Sequence, residues 1–335
     1  MKHIHIVGFG IAGALIAHEL MQRGIRVTFH DDPDSQSSSM VAAGMITPIT
    51  GMRLKPTWRG PELTALARSI YDEISHSASM SVWRDWTLRR VFRNQQMSAW
   101  FHERNSRGEF DHYHVEHIPA GVLDGVRYEH GGFTHGGVST VDLRAVIKCM
   151  QVRVSQTRAI DDNADAVIWC TGYKVLQNEL WSWLPIEPSK GEILDVEIPS
   201  LDIDHILTNG TWILPVIDSN GIRHHHYRIG ATHDWDDHDP MPTEKAREYL
   251  LQEASMMISQ PIIVTGHRAA IRPSTQFKRP IVGRHPIHSK NYVFSGLGTK
   301  GALQGPYAAR QLADYMLHDK PLDDEINCAR WWSRK

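Results

Sequence analysis

Short apolar runs broken by glycine and polar residues open the chain. His3–Val7 (His-Ile-His-Ile-Val) has the length and composition of a buried strand. Residues 14–23 carry apolar side chains at Leu15, Ile16, Ala17, Leu20 and Met21, a helical rhythm. Gly24 closes that helix in the manner of a glycine just past a C-terminus. Arg26–His30 (Arg-Val-Thr-Phe-His) then reads as a second strand.

Further along, 62–76 and 243–258 repeat with helical period, and so does the stretch Ala302, Leu303, Ala308, Ala309, Leu312, Met316. Strand-like runs occur at Glu192 to Ile198, Thr211 to Val216 and Tyr227 to Ala231. Asn209-Gly210 and Asn220-Gly221 are strong turn dipeptides between them, so this region predicts an antiparallel sheet. The segment 102–137, rich in His and Gly, fits neither period.

Between the first strand and helix stands Gly8-Phe9-Gly10-Ile11-Ala12-Gly13, a G-x-G-x-x-G. Gly8 permits the tight turn out of the strand, Gly10 leaves room for backbone to approach a pyrophosphate, and Gly13 lets the helix lie close to the strands. The helix start at Ile11 and Ala12 offers free N–H groups and the positive dipole end to phosphate. Asp31, with Asp32 beside it, ends the second strand, 23 positions after Gly8. It is placed to accept hydrogen bonds from ribose hydroxyls and would repel a 2′-phosphate. Strand, helix, strand and acid in this order supply the context that makes the motif specific for a dinucleotide. They do not separate NAD from FAD.

A small-residue stretch follows a polar loop at 33–36. Residues 37–51 include Ser38, Ala42, Ala43, Gly44 and Met45, where short side chains let backbone N–H groups reach a pyrophosphate or ring atoms. A nicotinamide dehydrogenase would instead run on into another βαβ unit, so this segment favours FAD. Near the other end, Gly296, Gly298 and Gly301 precede the last apolar-periodic helix. Such a loop suits a place where negative charge develops on reduction of a flavin.

Composition narrows the field. With 335 residues, 36 basic and 38 acidic side chains, the chain has room for two domains and no basic excess for nucleic acid. Three cysteines without a C-x-x-C pair exclude a disulfide framework and a thiolate zinc site, and point to a cytoplasmic setting. No apolar run reaches the length of a membrane span. In His224-His225-His226 the first and last share a strand face, but a third ligand is not evident, so no metal is expected. Trp331-Trp332 reads as a docked tail or an interface patch.

The stretch 1–53 resembles the D-amino-acid oxidase, glycine oxidase and sarcosine oxidase family of flavoenzymes. Four later segments agree in order. Residues 164–172 (Ala-Asp-Ala-Val-Ile-Trp-Cys-Thr-Gly), ending in Thr171 and Gly172, are similar to the returning strand whose end touches FAD. Lys190-Gly191-Glu192 stands where the family has Arg-Gly-Gln. Arg272-Pro273 with Arg279-Pro280-Ile281-Val282-Gly283 resembles its Arg-Pro and Pro-x-x-Gly pair. Residues 295–301, containing Gly296, Gly298, Thr299, Lys300 and Gly301, resemble the loop into the last helix.

The resemblance implies an α/β chain: a Rossmann-like FAD-binding domain from 1–77, 139–172 and 266–335, with an inserted α+β substrate domain built on an antiparallel sheet from 78–138 and 173–265. It implies oxidation of the C–N bond of a small-molecule amine or amino acid, with hydride passing to flavin N5. Of the three residues expected to serve catalysis, Arg272 would grip the substrate carboxylate, Lys300 would stand near flavin N1 and stabilise the reduced anion or else point to solvent, and His233 would line the site as a hydrogen-bonded wall or act as an acid–base catalyst. Arg53 and Lys55 are expected to be solvated. Either Val154 or Ala159 would contact adenine. Two other readings stay open: modification of a tRNA wobble uridine, which resembles this chain in the Gly-Leu-Gly-basic-Gly loop, and an FAD-binding subunit without its own substrate. Nothing here fixes the oligomeric state.

Overall fold

The computed structural model describes residues 1–32, 37–78, 80–217 and 223–334. The polar loop 33–36 and the dipeptide Asn220-Gly221 therefore lie outside the described residues.

Two sheets organise the chain. The first has six strands in the order Ser155–Gln156, Arg26–His30, His3–Val7, Ala166–Trp169, Asn291–Ser295, Ile281–Arg284. All pairings are parallel except the last. Parallel neighbours need crossovers, and helices Ile11–Gln22 and Leu143–Arg153 supply them. Ile11 to Leu20 are buried along the whole helix because Gly60–Ala78, Leu143–Arg153 and Gly301–His318 close the layer around it. Buried histidine in this sheet is neutral polar filling: His5 is hydrogen-bonded to Thr28 and His30, each at 2.9 Å, and burial pushes it down to about 4.

The second sheet has nine strands. Its main path runs Ile263–Ser274, Glu187–Glu197, Arg223–Gly230, Trp212–Ile217, Ile206–Thr208, Trp83–Val91, Gly132–Val141, Met45–Ile46, and Glu116–Ile118 pairs with Gly132–Val141. Every pairing is antiparallel except Ile206–Thr208 with Trp83–Val91. The turn at Asn209-Gly210 joins Ile206–Thr208 to Trp212–Ile217, with Thr208 facing Trp212 across it. The helices expected at 62–76 and 243–258 form as Gly60–Ala78 and Glu244–Ser255, the second capped by the Thr243 side chain. The segment 102–137 resolves into the end of helix Gln95–Ser106, short strands and an aromatic cluster of Phe92, Phe101, Phe110 and Phe133 against His102 and His117.

The two sheets are joined at the small-residue stretch. Gly44 has φ +65°, and a Cβ there would overlap the Val141 carbonyl. Val141 N–H donates to Gly44 O at 3.0 Å, and Met45–Ile46 then pairs with Thr140 and Ser139. The chain thus passes from the nucleotide-side loop straight into the edge of the second sheet. The C-terminal tail docks: Trp331 stacks on Phe277, and Trp332 packs near Trp183 and His285.

Candidate active site

The glycine motif forms a cradle that only glycine can line. Gly8 has φ +87°, and a Cβ would sit 2.8 Å from the Cys170 carbonyl oxygen. At Gly10 a Cβ would meet the Ser37 and Ser39 hydroxyls at 2.9 and 3.3 Å. At Gly13 it would strike the Gly8 carbonyl. The next strand's end, the second loop and the helix therefore converge on this turn. Ile11 N–H donates to Ser39 Oγ at 3.1 Å, while Ala12 and Gly13 belong to the first turn, whose N–H groups have no intrahelical acceptor. A pyrophosphate fits this surface of backbone donors with no side chain across it. The residues fit FAD on that ground.

The other expected cofactor residues cluster around the cradle. Asp31 ends its strand partly buried; burial raises its carboxyl pKa, and hydrogen bonds from the Phe9 and Asp32 N–H groups pull it back. Asp32 accepts from Lys174 Nζ at 3.1 Å. Ser38 starts the short helix Ser38–Val41, Ser37 capping it by accepting from Ser39 N–H at 3.3 Å. Thr171 and Gly172 follow Cys170, and Ser295 Oγ donates to Gly172 O at 2.9 Å. Gly296 (φ +73°) and Gly298 (φ +48°) turn the last loop, and Gly301 comes within 3.6 Å of Ile11 if a Cβ is placed on it. The C-terminal loop thus lies against the glycine motif. Val154 is buried in the same core and Ala159 is exposed.

Asp31→Ala is expected to weaken FAD retention by about 1–3 kcal/mol, the cost of removing charge-assisted partners from two ribose hydroxyls. Equilibrium titration of apo-protein with FAD measures it, and affinity equal to wild type would remove Asp31 from the ribose site.

On the second sheet Arg272 is the distinctive group. Its guanidinium lies over Gly191, where any Cβ would overlap it, so the Lys-Gly-Glu glycine is an arginine slot. Arg272 Nη1 donates to Thr232 O at 3.0 Å and Lys190 O at 3.4 Å, and is 3.4 Å from His233 Nδ1. Its recorded partners are carbonyls and an imidazole; among the described residues no carboxylate pairs with it. Burial depresses its pKa, yet a guanidinium stays charged at neutral pH. Desolvation first, then Arg272 and Lys278, push His233 down to about 4. His233, exposed beside Arg272, is therefore neutral at physiological pH.

Lys300 caps the last helix and donates to Thr57 Oγ1 at 3.3 Å. Burial, then Lys278 and Arg90, push it down to about 8. Sequence reasoning missed Arg90, which as a strand cation carried no signal of burial, and Ser37 and Ser39, which flank the serine it named. Arg53 and Lys55 are exposed. His224 and His226 have ring centroids 6.5 Å apart, and His226 Nδ1 lies 3.6 Å from Glu197.

A dinucleotide cradle on a largely parallel sheet, joined to a second sheet that carries a half-buried arginine with no acid paired to it among the described residues, defines a nucleotide-binding protein of the oxidoreductase kind. Residues 3–315 match the family model described as DAO, FAD dependent oxidoreductase. The chain belongs to that family and is an FAD-dependent oxidoreductase.

Relatives and solved structures match nearly the whole of this chain. The chain is 23% identical to the glycine oxidase of Pseudomonas aeruginosa, covering 96% of this chain and 97% of that one. It is 23% identical to the tRNA 5-methylaminomethyl-2-thiouridine biosynthesis bifunctional protein MnmC of Marinobacter nauticus, over 93% of this chain and 55% of that longer protein. In fold it is similar to iminodiacetate oxidase from Chelativorans sp. BNC1, with TM-score 0.81, 19% identity and 98% of both chains covered. It is also similar to glycine oxidase from Geobacillus kaustophilus, with TM-score 0.79, 18% identity, and 98% and 99% covered. Among the described residues no helix is long and apolar enough to cross a membrane.

Proposed function

We propose that the protein oxidises the C–N bond of a small amine or amino acid that carries a carboxylate, with Arg272 holding that carboxylate. One observation carries this reading: a half-buried guanidinium in a glycine-lined slot, bonded to carbonyls and His233 and to no acid among the described residues. A partly desolvated cation without a counter-ion favours an anion from outside, and a substrate carboxylate would supply one in bidentate geometry. Glycine oxidase and iminodiacetate oxidase, named among the similar proteins, act on substrates of this class, which supports the reading.

Bound FAD supplies the acceptor for the two electrons and the hydrogen that leave the substrate α-carbon. The protein's share is positioning and exclusion of water, which can remove much of a barrier without a side-chain base. Gly230 and Trp212 close one wall, since a Cβ at 230 would come 2.6 Å from the indole. Neutral His233 lines another and adds no charge to compete with Arg272. We read 1–77, 139–172 and 266–335 as the cofactor-binding unit and the two insertions as the substrate unit.

The likeness to the tRNA biosynthesis protein supports a second reading, the same chemistry on a tRNA uridine side chain, against which the near-neutral charge weighs. The test is an absorption spectrum of the purified protein followed by anaerobic addition of amines and amino acids. Flavin bands bleached by a carboxylate-bearing amine are expected. Flavin bands that no small amine bleaches would transfer the case to the tRNA substrate.

A further inference from the structure

The turn from Thr275 to Arg279 follows the strand that carries Arg272. Thr275 O accepts from Lys278 N–H at 3.0 Å. The Thr275 hydroxyl donates to Arg279 O at 2.9 Å and accepts from Arg279 N–H at 3.2 Å. Phe277 stacks on Trp331 with centroids 4.6 Å apart, and the Arg279 guanidinium lies 4.1 Å from the centre of the Trp58 ring. The turn is thus fixed on both sides of Lys278. Lys278 itself has φ +55°, a left-handed conformation that glycine or asparagine adopts with less strain. A strained residue held in place by its surroundings points to a use for its side chain.

Bonded neighbours place this lysine beside Lys300 and Arg272. Gln304 Nε2 donates to Lys278 O at 3.1 Å, and Gln304 N–H donates to Lys300 O at 2.8 Å. Pro273 O, next to Arg272, accepts from Gly298 N–H at 3.0 Å, two residues before Lys300. His233 Nδ1 lies 3.4 Å from Arg272. The charges agree with the bonds: Lys278 acts on both the His233 ring and the Lys300 ammonium. His233 and Lys278 are exposed, whereas Arg272 and Lys300 are half-buried. Lys278 therefore belongs to the outer rim of a site whose inner cations are Arg272 and Lys300. Acids around the turn have other partners, Glu187 in Gln276, Glu325 in Trp58 and Asp237 in Lys190. Among the described residues no acid pairs with Lys278.

An exposed cation holds a bound ligand weakly, because water screens it. It still acts on an approaching ion over a Debye length, about 10 Å at 0.1 M salt. Arg272 is set back, with Nη1 given to the Thr232 and Lys190 carbonyls. A carboxylate arriving from solvent meets the field of Lys278 before it meets the Arg272 fork.

We propose that Lys278 is a steering residue: it draws an anionic substrate, carboxylate first, to the mouth of the site, where Arg272 takes hold of it. This rests on the carboxylate-amine reading above and adds the residue that governs how fast such a substrate is captured. Lys278 acts through the field at the mouth and touches no reacting atom.

The test uses FAD-loaded protein and the carboxylate-bearing amine that bleaches it in the anaerobic panel. Stopped-flow absorption gives the second-order rate constant of bleaching from its slope at low substrate concentration. The measurement is repeated from about 0.02 to 0.5 M ionic strength, over which the Debye length falls from about 20 to about 4 Å. Lys278→Asn removes the charge and eases the turn, Lys278→Arg keeps the charge, and Lys278→Glu reverses it. At low salt Lys278→Glu is expected to be about tenfold slower than wild type and Lys278→Asn about threefold slower, the low end of electrostatic capture because one charge of several is altered. Lys278→Arg should match wild type. At 0.5 M salt all of them should agree within about twofold. Arg272→Met should instead be slow at every ionic strength, because it removes a contact.

A deficit in Lys278→Glu or Lys278→Asn that survives at 0.5 M salt overturns the proposal and makes Lys278 a contact or a structural residue. A Lys278→Glu protein as fast as wild type at low salt also overturns it, and leaves the carboxylate reading at Arg272 standing. Asparagine suits the turn, so a slow Lys278→Asn does not reflect a broken loop, and the flavin content of each variant checks the fold. If no carboxylate-bearing amine bleaches the flavin, the carboxylate-amine reading falls and steering falls with it.

Discussion

Arg272→Met will raise KM for a carboxylate-bearing substrate at least about thirtyfold while FAD content stays at the wild-type level. Removing one partner of a buried, hydrogen-bonded charge pair costs about 2–5 kcal/mol, and each 1.4 kcal/mol is tenfold. Methionine fills the slot over Gly191 without reaching the Thr232 carbonyl as a donor. The cofactor should be untouched, because the glycine cradle belongs to the other sheet. Steady-state kinetics with the substrate found in the anaerobic panel, alongside the flavin-to-protein absorbance ratio, measures both. A KM within twofold of wild type would move the anchor away from Arg272. Loss of flavin together with activity would mean that Arg272 supports the fold and not the substrate. Lysine at this position should recover little, since an ammonium lacks the planar fork that meets a carboxylate bidentately.

The parts legible in the sequence are those with a local physical cause. The first sheet's opening, from His3 to His30, was readable because strand, turn and helix follow each other without interruption, and two of its glycines answer close approaches within about 30 residues, while Gly8 answers the distant Cys170. Gly10 faces Ser37 and Ser39, and Gly13 faces Gly8. Arg272 was legible only through the resemblance, and the structure gives it a reason in Gly191, 81 positions away on a paired strand. Residues 102–137 defeated periodicity because strands of three residues have too few positions to show alternation, and because His102 and His117 act there as aromatic packing groups. The strand Ile206–Thr208 was missed for the same brevity, although the Asn209-Gly210 turn that joins it to Trp212–Ile217 was read as a turn. Arg90 was illegible because a cation on a strand ordinarily marks the solvent side. Only the tertiary fold shows that this face is covered, by the 44–51 loop and the residues around Ala43 and Met45.

Lys190→Met should lower the stability of the folded protein by about 3 kcal/mol and loosen the segment that carries His233. Lys190 is 1% exposed; its Nζ donates to Asp237 at 2.6 Å and lies 3.7 Å from Glu192, itself 3% exposed. Glu192 accepts from Thr243 N–H at 2.8 Å and from its hydroxyl at 2.9 Å, and is 2.9 Å from His267 Nε2. The Lys190 and Asp234 backbones bond reciprocally at 2.7 and 3.0 Å. One strand therefore pins the stretch from Thr232 to Thr243 at both ends, and His233 within it meets Arg272. Removing the cation leaves two acids facing each other. Breaking a buried pair costs about 3–5 kcal/mol, and the low end applies because Asp237 is a third exposed and can regain water. A urea melt measures the loss. Arg at this position keeps the charge and should restore most of the midpoint. Because the segment also positions His233 beside Arg272, KM of the folded methionine variant should rise at a temperature well below its melt, and Lys190→Arg should bring it back. An unchanged urea midpoint would show that the acids are satisfied without Lys190. A lowered midpoint with unchanged KM would confine Lys190 to stability and leave Arg272 positioned by Gly191 alone.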